Sequence, residues 1–131
     1  MKLVVVTPER QLLEADVEEV YAPGIAGQFG VLPLHVNFLT ALVPGEVRYR
    51  EHGVDHYLAI GGGLCEVVND VVTILADSAE FAGDIDLQRA VAAEKRALEQ
   101  IALVAAASVE YTELRAAADR AAARRQVAAR G

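Results

Sequence analysis

The sequence contains no tryptophan, one cysteine and one methionine, and aromatic residues make up only 5% of its 131 residues. The lone cysteine, Cys65, excludes an internal disulfide framework and is typical of a reducing compartment. No stretch approaches the run of about 18 apolar residues that a membrane-spanning helix needs. The apolar start, Met1 to Val6, turns polar too soon to be a signal peptide. We therefore expect a folded protein on the cytoplasmic side.

Recognisable catalytic and metal-binding patterns are also missing. The triplet Gly61–Gly63 lacks the Lys-Ser or Lys-Thr that follows the glycines of a phosphate-binding P-loop, so it predicts a bend between strands. His35, His52 and His56 have no metal-binding spacing relative to Cys65, and no serine or cysteine has a base close to it in sequence. The sequence thus predicts a protein that is not an enzyme, with no catalytic residues and no metal site.

The content of 53% hydrophobic and 24% charged residues is typical of a globular protein, but the charge is unevenly distributed. Residues 1–84 carry four basic and thirteen acidic side chains, a net charge of −9, whereas residues 85–131 carry eight and six, a net of +2. From Leu114 onward, five arginines face a single acid, Asp119. This split predicts two modules with different partners, and the acidic first module argues against nucleic acid as a partner.

Short β-branched runs separated by glycine and proline dominate residues 1–84, beginning with Lys2–Val6. The stretch from Gly27 to Gly45 is the richest in such turn signals, with three glycines and two prolines. Residues 46–50 and 55–60 alternate like the two strands of a hairpin, which the glycine triplet would end. About eight or nine short strands at this density predict an all-β sandwich or flattened barrel.

Residues 85–131 change character, because sixteen alanines fall between Ala90 and Ala129 among other strong helix formers. Asp84 or Asp86 can cap a first helix and Ser108 a second. The break between them is short, so the helices should pack antiparallel, and their alanine-rich contact should hold them weakly. The predicted fold class is therefore α+β, with a sandwich over residues 1–84 followed by a two-helix hairpin over residues 85–131.

Arginines recur along the predicted helices at spacings that place them on common faces. Asp86 and Arg89 are three residues apart, Arg89 and Arg96 seven, and Arg120 and Arg124 four. If the hairpin closes, four guanidinium groups could surround an anionic phosphate ligand. The same spacing also fits a solvated arginine face with one intrahelical Asp–Arg pair, and the spacing alone leaves both interpretations open.

Several short motifs follow one another along the chain: Val5–Glu9, Pro23-Gly24, Gly27–Thr40, Pro44-Gly45, Gly61–Gly63, Glu66-Val67 and Val72–Glu80. Each is weak alone, but in this order and at this spacing they make almost the whole chain resemble the epsilon subunit of bacterial rotary F-type ATP synthases. Leu34 departs from the glycine usual there and puts the local turn geometry in doubt, whereas Leu64 replaces a common aromatic residue.

The resemblance implies a non-catalytic subunit of the rotor, or central stalk, of a proton-translocating synthase. The sandwich would bind the gamma subunit and the c-subunit ring, and so couple proton flow to ATP synthesis. The helices would inhibit ATP hydrolysis when they extend toward the alpha/beta catalytic head. The expected location is the cytoplasmic face of the bacterial cell membrane, peripheral, with membrane contact only through the complex.

The resemblance also implies ATP as a regulatory ligand, with no required cofactor. Ile85 to Ala90 matches in full the motif through which some bacterial members bind ATP on the folded hairpin. Glu80, Arg96, Arg120 and Arg124 fall where further nucleotide contacts of the family would lie, the last two with a shift of one residue. The implied ATP-binding set is therefore Glu80, Asp86, Arg89, Arg96, Arg120 and Arg124.

Two other classes of function compete with a rotor subunit. A free-standing nucleotide-sensing module would explain the ATP motif without the sandwich motifs. A nucleic-acid binder would rest only on the arginines after Leu114. Co-purification with the other synthase subunits would distinguish a rotor subunit from both of these alternatives.

Overall fold

The computed structural model describes residues 1–130 and consists of eight β-strands followed by two α-helices. A single turn of 3₁₀ helix, Ala82–Asp84, joins the two parts. The strands are β1 (Lys2–Val6), β2 (Gln11–Asp16), β3 (Glu19–Gly24), β4 (Gly27–Val31), β5 (Phe38–Glu51), β6 (Val54–Val68), β7 (Val71–Ala76) and β8 (Ala79–Phe81), and the helices are α1 (Leu87–Ile101) and α2 (Val109–Ala128).

The strands are hydrogen-bonded in the order β2-β1-β7-β6-β5-β3-β4, with β8 added to β6. All pairs are antiparallel except β1 with β7. The long strands β5 and β6 contribute one half to each side of a sandwich, because β6 pairs with β8 over residues 58–60 and with β7 over residues 63–68. Apolar residues from both ends of this strand order form one core, so the two sides pack face to face.

The glycine triplet does not end a strand, contrary to the prediction from sequence. β6 runs without interruption through Gly61–Gly63, and its partner β5 runs through Pro44 and Gly45. The prediction failed because glycine allows a strand to bend without losing its ladder: Gly62 and Gly63 adopt φ of 101° and 143° while the register with β5 is kept. The predicted hairpin strands at 46–50 and 55–60 are therefore halves of longer strands.

The sandwich core consists of large aliphatic side chains that alternate with more exposed residues along each strand. On β1, Leu3 and Val5 are fully buried, and on β7 Val72 and Ile74 are fully buried. Cys65 lies in the same core, and burial raises the pKa of its thiol to about 11. This alternation gives the sheet one apolar face, which is what a two-layer sandwich requires.

The helices form an antiparallel hairpin, and α2 packs against β5 and β6. The capping predictions are confirmed at Asp86 and Ser108, whose side chains accept hydrogen bonds from the backbone N–H groups of Arg89 and Tyr111. The prediction of an alanine-rich contact is also confirmed, because Val127 is the one larger residue among the hairpin side chains buried within residues 1–130: Ala90, Ala97, Ala118, Ala121, Ala123 and Val127. No helix in this described range is long and apolar enough to cross a membrane.

Candidate functional site

Two neighbouring cavities lie along the closed hairpin and bring most of the predicted ligand-binding residues together. The sheet-side cavity, of about 220 Å³, lies between α2 and the sandwich and includes Glu80, Arg120 and Arg124 in its lining. The helix-side cavity, of about 230 Å³, is lined by Arg89, Ala92, Ala93, Arg96 and Arg124. Arg124 and Ala93 line both cavities, so the two form a continuous candidate site.

Helical periodicity and small residues explain why these arginines converge. Arg89 and Arg96 lie two turns apart on one face of α1, and Arg120 and Arg124 project from successive turns of α2. Gly61 on β6 leaves space for α2: a Cβ atom there would collide with the Ser78 hydroxyl and lie 3.2 Å from Cδ of Arg120. The glycine triplet was not predicted to contribute to this site. Its role depends on α2, whose packing on β6 is a long-range contact that the local motif does not reveal.

Arg124 at the centre of the site is engaged by a carboxylate in this structure. Its Nε lies 2.7 Å from Oε1 of Glu80, and its Nη2 donates a hydrogen bond of 3.3 Å to Oε2. Within the described residues Nε is buried and not aligned for a hydrogen bond, so the short contact with Oε1 is electrostatic. This ion pair connects the last strand of the sandwich to α2.

Asp86 is the one predicted ligand-binding residue that lines neither cavity. Its Oδ1 accepts a hydrogen bond of 3.1 Å from the backbone N–H of Arg89, so its carboxylate caps α1. The match of Ile85 to Ala90 to a ligand motif therefore has a structural explanation at Asp86, because a helix that begins there needs an N-cap. Nucleotide binding by Asp86 and by the five cavity-lining residues stays a prediction.

The balance of charge in the site favours an anion. Four guanidinium groups and one carboxylate line the two cavities together. Among residues 1–130, Arg89, Arg96 and Arg120 form no ion pair with a carboxylate, so their charges are available to a ligand. The same part of the chain holds no group of three or more His, Cys, Asp or Glu side chains placed to bind a metal ion.

Residues 1–82 match the family model for the β-sandwich domain of the ATP synthase delta/epsilon chain. The ATP synthase epsilon chain of Syntrophobacter fumaroxidans is 48% identical over 128 residues, which are 98% of this chain and 95% of that one. The epsilon chain of Geobacter sp. strain M21 is 44% identical over 98% of this chain and 93% of its own. This chain belongs to the ATP synthase epsilon-chain family.

The matches to whole epsilon chains include the helical part, which the family model of the sandwich does not reach. ATP synthase epsilon chain 2 of Syntrophotalea carbinolica is 46% identical over all 131 residues and 95% of its own length. A chain of the Euglena gracilis mitochondrial ATP synthase, in a structure of OSCP, F1 and the c-ring, has a TM-score of 0.82. It is 20% identical over 98% of this chain and 80% of that one, so it shows a shared fold and no finer property.

Proposed function

We propose that the chain is a non-catalytic rotor subunit of a proton-translocating F-type ATP synthase, at the cytoplasmic face of a bacterial membrane. The sandwich, residues 1–84, binds the gamma subunit and the c-subunit ring, and the hairpin, residues 85–131, regulates hydrolysis. The observation that carries this proposal is similarity over the full length to ATP synthase epsilon chains, at 42–48% identity. A free-standing nucleotide sensor would need the cavity residues but not the match of the sandwich.

We further propose that the hairpin inhibits hydrolysis by opening and placing α2 beside the alpha/beta catalytic head. In the closed form Arg124, Arg125 and Arg130 are paired with Glu80, Glu94 and Glu46. Opening breaks the pairs to Glu80 and Glu46, which lie on the sandwich, and frees two arginines for acidic groups on the head. One set of ion pairs replaces another, so the two states can differ little in free energy.

Truncation after Gly83 tests this role. The synthase assembled with the truncated chain should hydrolyse ATP faster than the synthase with the full chain, while assembly and coupling are retained. Replacing Arg120, Arg124 and Arg125 with alanine should give part of this release, whereas Arg10→Ala in the sandwich should give none. Equal hydrolysis by truncated and full-length enzymes under all conditions would exclude an inhibitory hairpin.

We infer ATP as the ligand of the two cavities from their excess of guanidinium groups and their position between hairpin and sandwich. A ligand that binds only the closed form stabilises it by RT ln(1 + [L]/Kd), about 2.7 kcal/mol at a hundredfold excess over Kd. ATP would then oppose opening of the hairpin and so relieve inhibition.

Calorimetric titration of the isolated chain with ATP tests the ligand. Arg89→Ala should weaken binding without changing the melting temperature of the ligand-free sandwich. Arg115→Ala is the matched control, because Arg115 lies on α2 outside both cavities and pairs with Asp119 on its own helix. Equal ATP affinity for the wild type and Arg89→Ala would show that the cavities are not a nucleotide site.

A further inference from the structure

We propose that the side chain of Arg130, just beyond the end of α2, is a latch that holds the hairpin closed. Its Nε donates to Oε2 of Glu46 at 3.1 Å and its Nη2 donates to Oε1 at 3.2 Å, so both carboxylate oxygens are engaged. Its guanidinium carbon also lies 4.8 Å from the centre of the Tyr57 ring. We call Arg130, Glu46 and Tyr57 together the tail latch.

The geometry of the tail latch makes it stronger than an ordinary surface ion pair. Two parallel N–H···O contacts fix the guanidinium plane against the carboxylate, and an aromatic face adds a cation–π contact. The Glu46 side chain is only 15% exposed and that of Arg130 is 46% exposed, so solvent screens the pair in part, and less than it would screen two fully exposed groups. The hydrogen bonds to Glu46 also raise the pKa of Arg130, as expected for a guanidinium held by a carboxylate.

The tail latch joins the sandwich to the end of α2, so breaking it favours detachment of the hairpin. Glu46 and Tyr57 lie on β5 and β6 of the sandwich, whereas Arg130 lies at the end of the chain that moves. The Arg125–Glu94 pair, by contrast, joins α2 to α1, so it can travel with the hairpin. The nearest buried side chain on α2 is Val127, and alanines make up the rest of the buried surface of the helix. With so little apolar area opposing detachment, the bidentate Arg130–Glu46 pair and the Arg124–Glu80 pair provide a large share of the interactions that keep α2 docked.

Hydrogen exchange in the full chain tests the latch through amides of α2 such as those of Ala121 and Ala123. Detached alanine-rich helices of this length are marginal in water, so opening exposes these amides to exchange. Arg130→Ala and Glu46→Gln should each speed their exchange about tenfold, as expected for loss of hydrogen bonds between charged groups. Exchange at Val72 and Ile74 in the sandwich should not change. Arg115→Ala, which removes a pair internal to α2, should change exchange less than about twofold.

A double variant shows whether the two residues act on each other. Glu46→Gln combined with Arg130→Ala should exchange no faster than either single variant, because the second change has no contact left to remove. The charge-reversed double variant, Glu46→Arg with Arg130→Glu, should restore the ion pair, so its α2 amides should exchange more slowly than those of either single variant. Wild-type exchange in both single variants, or fully additive effects in the double variant, would overturn the latch.

The latch rests on the proposed function only in its effect on ATP hydrolysis. The variant Glu46→Gln tests the latch and the inhibitory role separately. This variant leaves every arginine of the tail in place, so in the assembled synthase it should favour the open hairpin and deepen inhibition. Faster α2 exchange with unchanged hydrolysis would support the latch and contradict the proposed inhibitory role. Unchanged exchange, with hydrolysis still released by truncation after Gly83, would contradict the latch and support the inhibitory role.

Discussion

The sandwich and the hairpin both bury apolar residues, but the sizes of those residues differ. The sandwich core is built from leucine, isoleucine and valine side chains such as Leu58, Ile60 and Ile74, all at most 2% exposed. The hairpin buries five alanines and Val127 within the described residues. A fully buried valine or leucine side chain contributes about 1.5–3 kcal/mol, and alanine contributes far less. The fold therefore places most of its buried apolar area in the sandwich, and the hairpin is held by much less.

Charge reinforces the contrast between the two parts. On the sandwich, Arg48 and Arg50 both contact Asp55 and Glu19 in a compact network between neighbouring strands. On the hairpin, Arg124 and Arg130 pair outward, to Glu80 and Glu46 of the sandwich. Ion pairs within the sandwich therefore join neighbouring strands of one sheet, whereas the pairs of Arg124 and Arg130 join the hairpin to the sandwich.

The largest expected effect is on the sandwich, from Gly63→Ala. The new Cβ would overlap the carbonyl of Leu75, at a φ of 143° that only glycine adopts readily. Urea unfolding should show a loss of about 3 kcal/mol or more, from backbone strain and overpacking together. Gly83→Ala is the control, because its Cβ meets nothing within 4 Å, and its effect should stay within about 0.5 kcal/mol. Similar stability for both variants would contradict the close packing at Gly63.

Val127→Ala should have an intermediate effect that is confined to the hairpin. Removing this fully buried side chain should weaken docking by about 1–3 kcal/mol, measured by hydrogen exchange in α2. Val109→Ala, at a position that is 74% exposed on the same helix, should change exchange little. An equal loss of stability in the sandwich and the hairpin after Val127→Ala would show that the two parts unfold as one unit.

A smaller, pH-dependent effect should appear at Asp55 in the sandwich network. The hydrogen bond from Arg50, with the charge of Arg48, lowers the pKa of this carboxyl below its ordinary value of 3.8. Because the pKa is lower in the folded state, the ionised carboxylate adds stability at pH values above its ordinary pKa. That stability is lost as the pH falls through the lower pKa of the folded state. Asp55→Asn should therefore be less stable than the wild type at pH 6, and acid unfolding curves should show this difference in stability shrinking as the pH falls below 3.8.

The control for the pH prediction is Glu9→Gln, a change at an exposed residue that forms no ion pair within residues 1–130. Its stability should follow that of the wild type at every pH. A gap between Asp55→Asn and the wild type that stays constant from pH 6 to pH 2 would show that the network does not act through ionised Asp55.

The smallest expected effect is a gain in stability, from Leu34→Gly in the loop before β5. Leu34 has a φ of 65° and is 87% exposed, so its side chain adds strain without being buried. Glycine removes the strain but gains freedom in the unfolded chain, so thermal unfolding should show a net increase of about 0.5 kcal/mol. Leu32→Gly, without a positive φ, should lose stability instead. A loss at both positions would show that the left-handed turn carries no strain.

Local patterns were enough to predict the fold class and several details of the helices. Alternation, turn residues and alanine content predicted a sandwich followed by a hairpin, and polar residues before the apolar runs predicted the caps Asp86 and Ser108. The spacing of seven residues placed Arg89 and Arg96 on one face of a helix, where they line one cavity. These features follow from interactions between residues close in sequence, which a sequence pattern records directly.

Long-range features could not be predicted in this way. Glu80 and Arg124 are 44 residues apart, and Glu46 and Arg130 are 84 apart, so their pairing depends on how the whole hairpin docks. The continuity of β6 through Gly61–Gly63 depends on its neighbours β5 and β7, which hold the ladder while the backbone bends. In each case the decisive contact comes from a distant element that no local spacing identifies.

The parallel pairing of β1 with β7 has a consequence for how the chain folds during synthesis. β1 leaves the ribosome first, yet its partner residues 71–75 emerge only after the intervening 64 residues. Until then β2 is the only native partner available to β1, and the other edge of β1 is open to wrong partners. Contacts this distant in sequence form slowly, because loop closure must precede them. The sandwich is thus completed late and as a unit, and α2 can dock only on a sheet that has already formed.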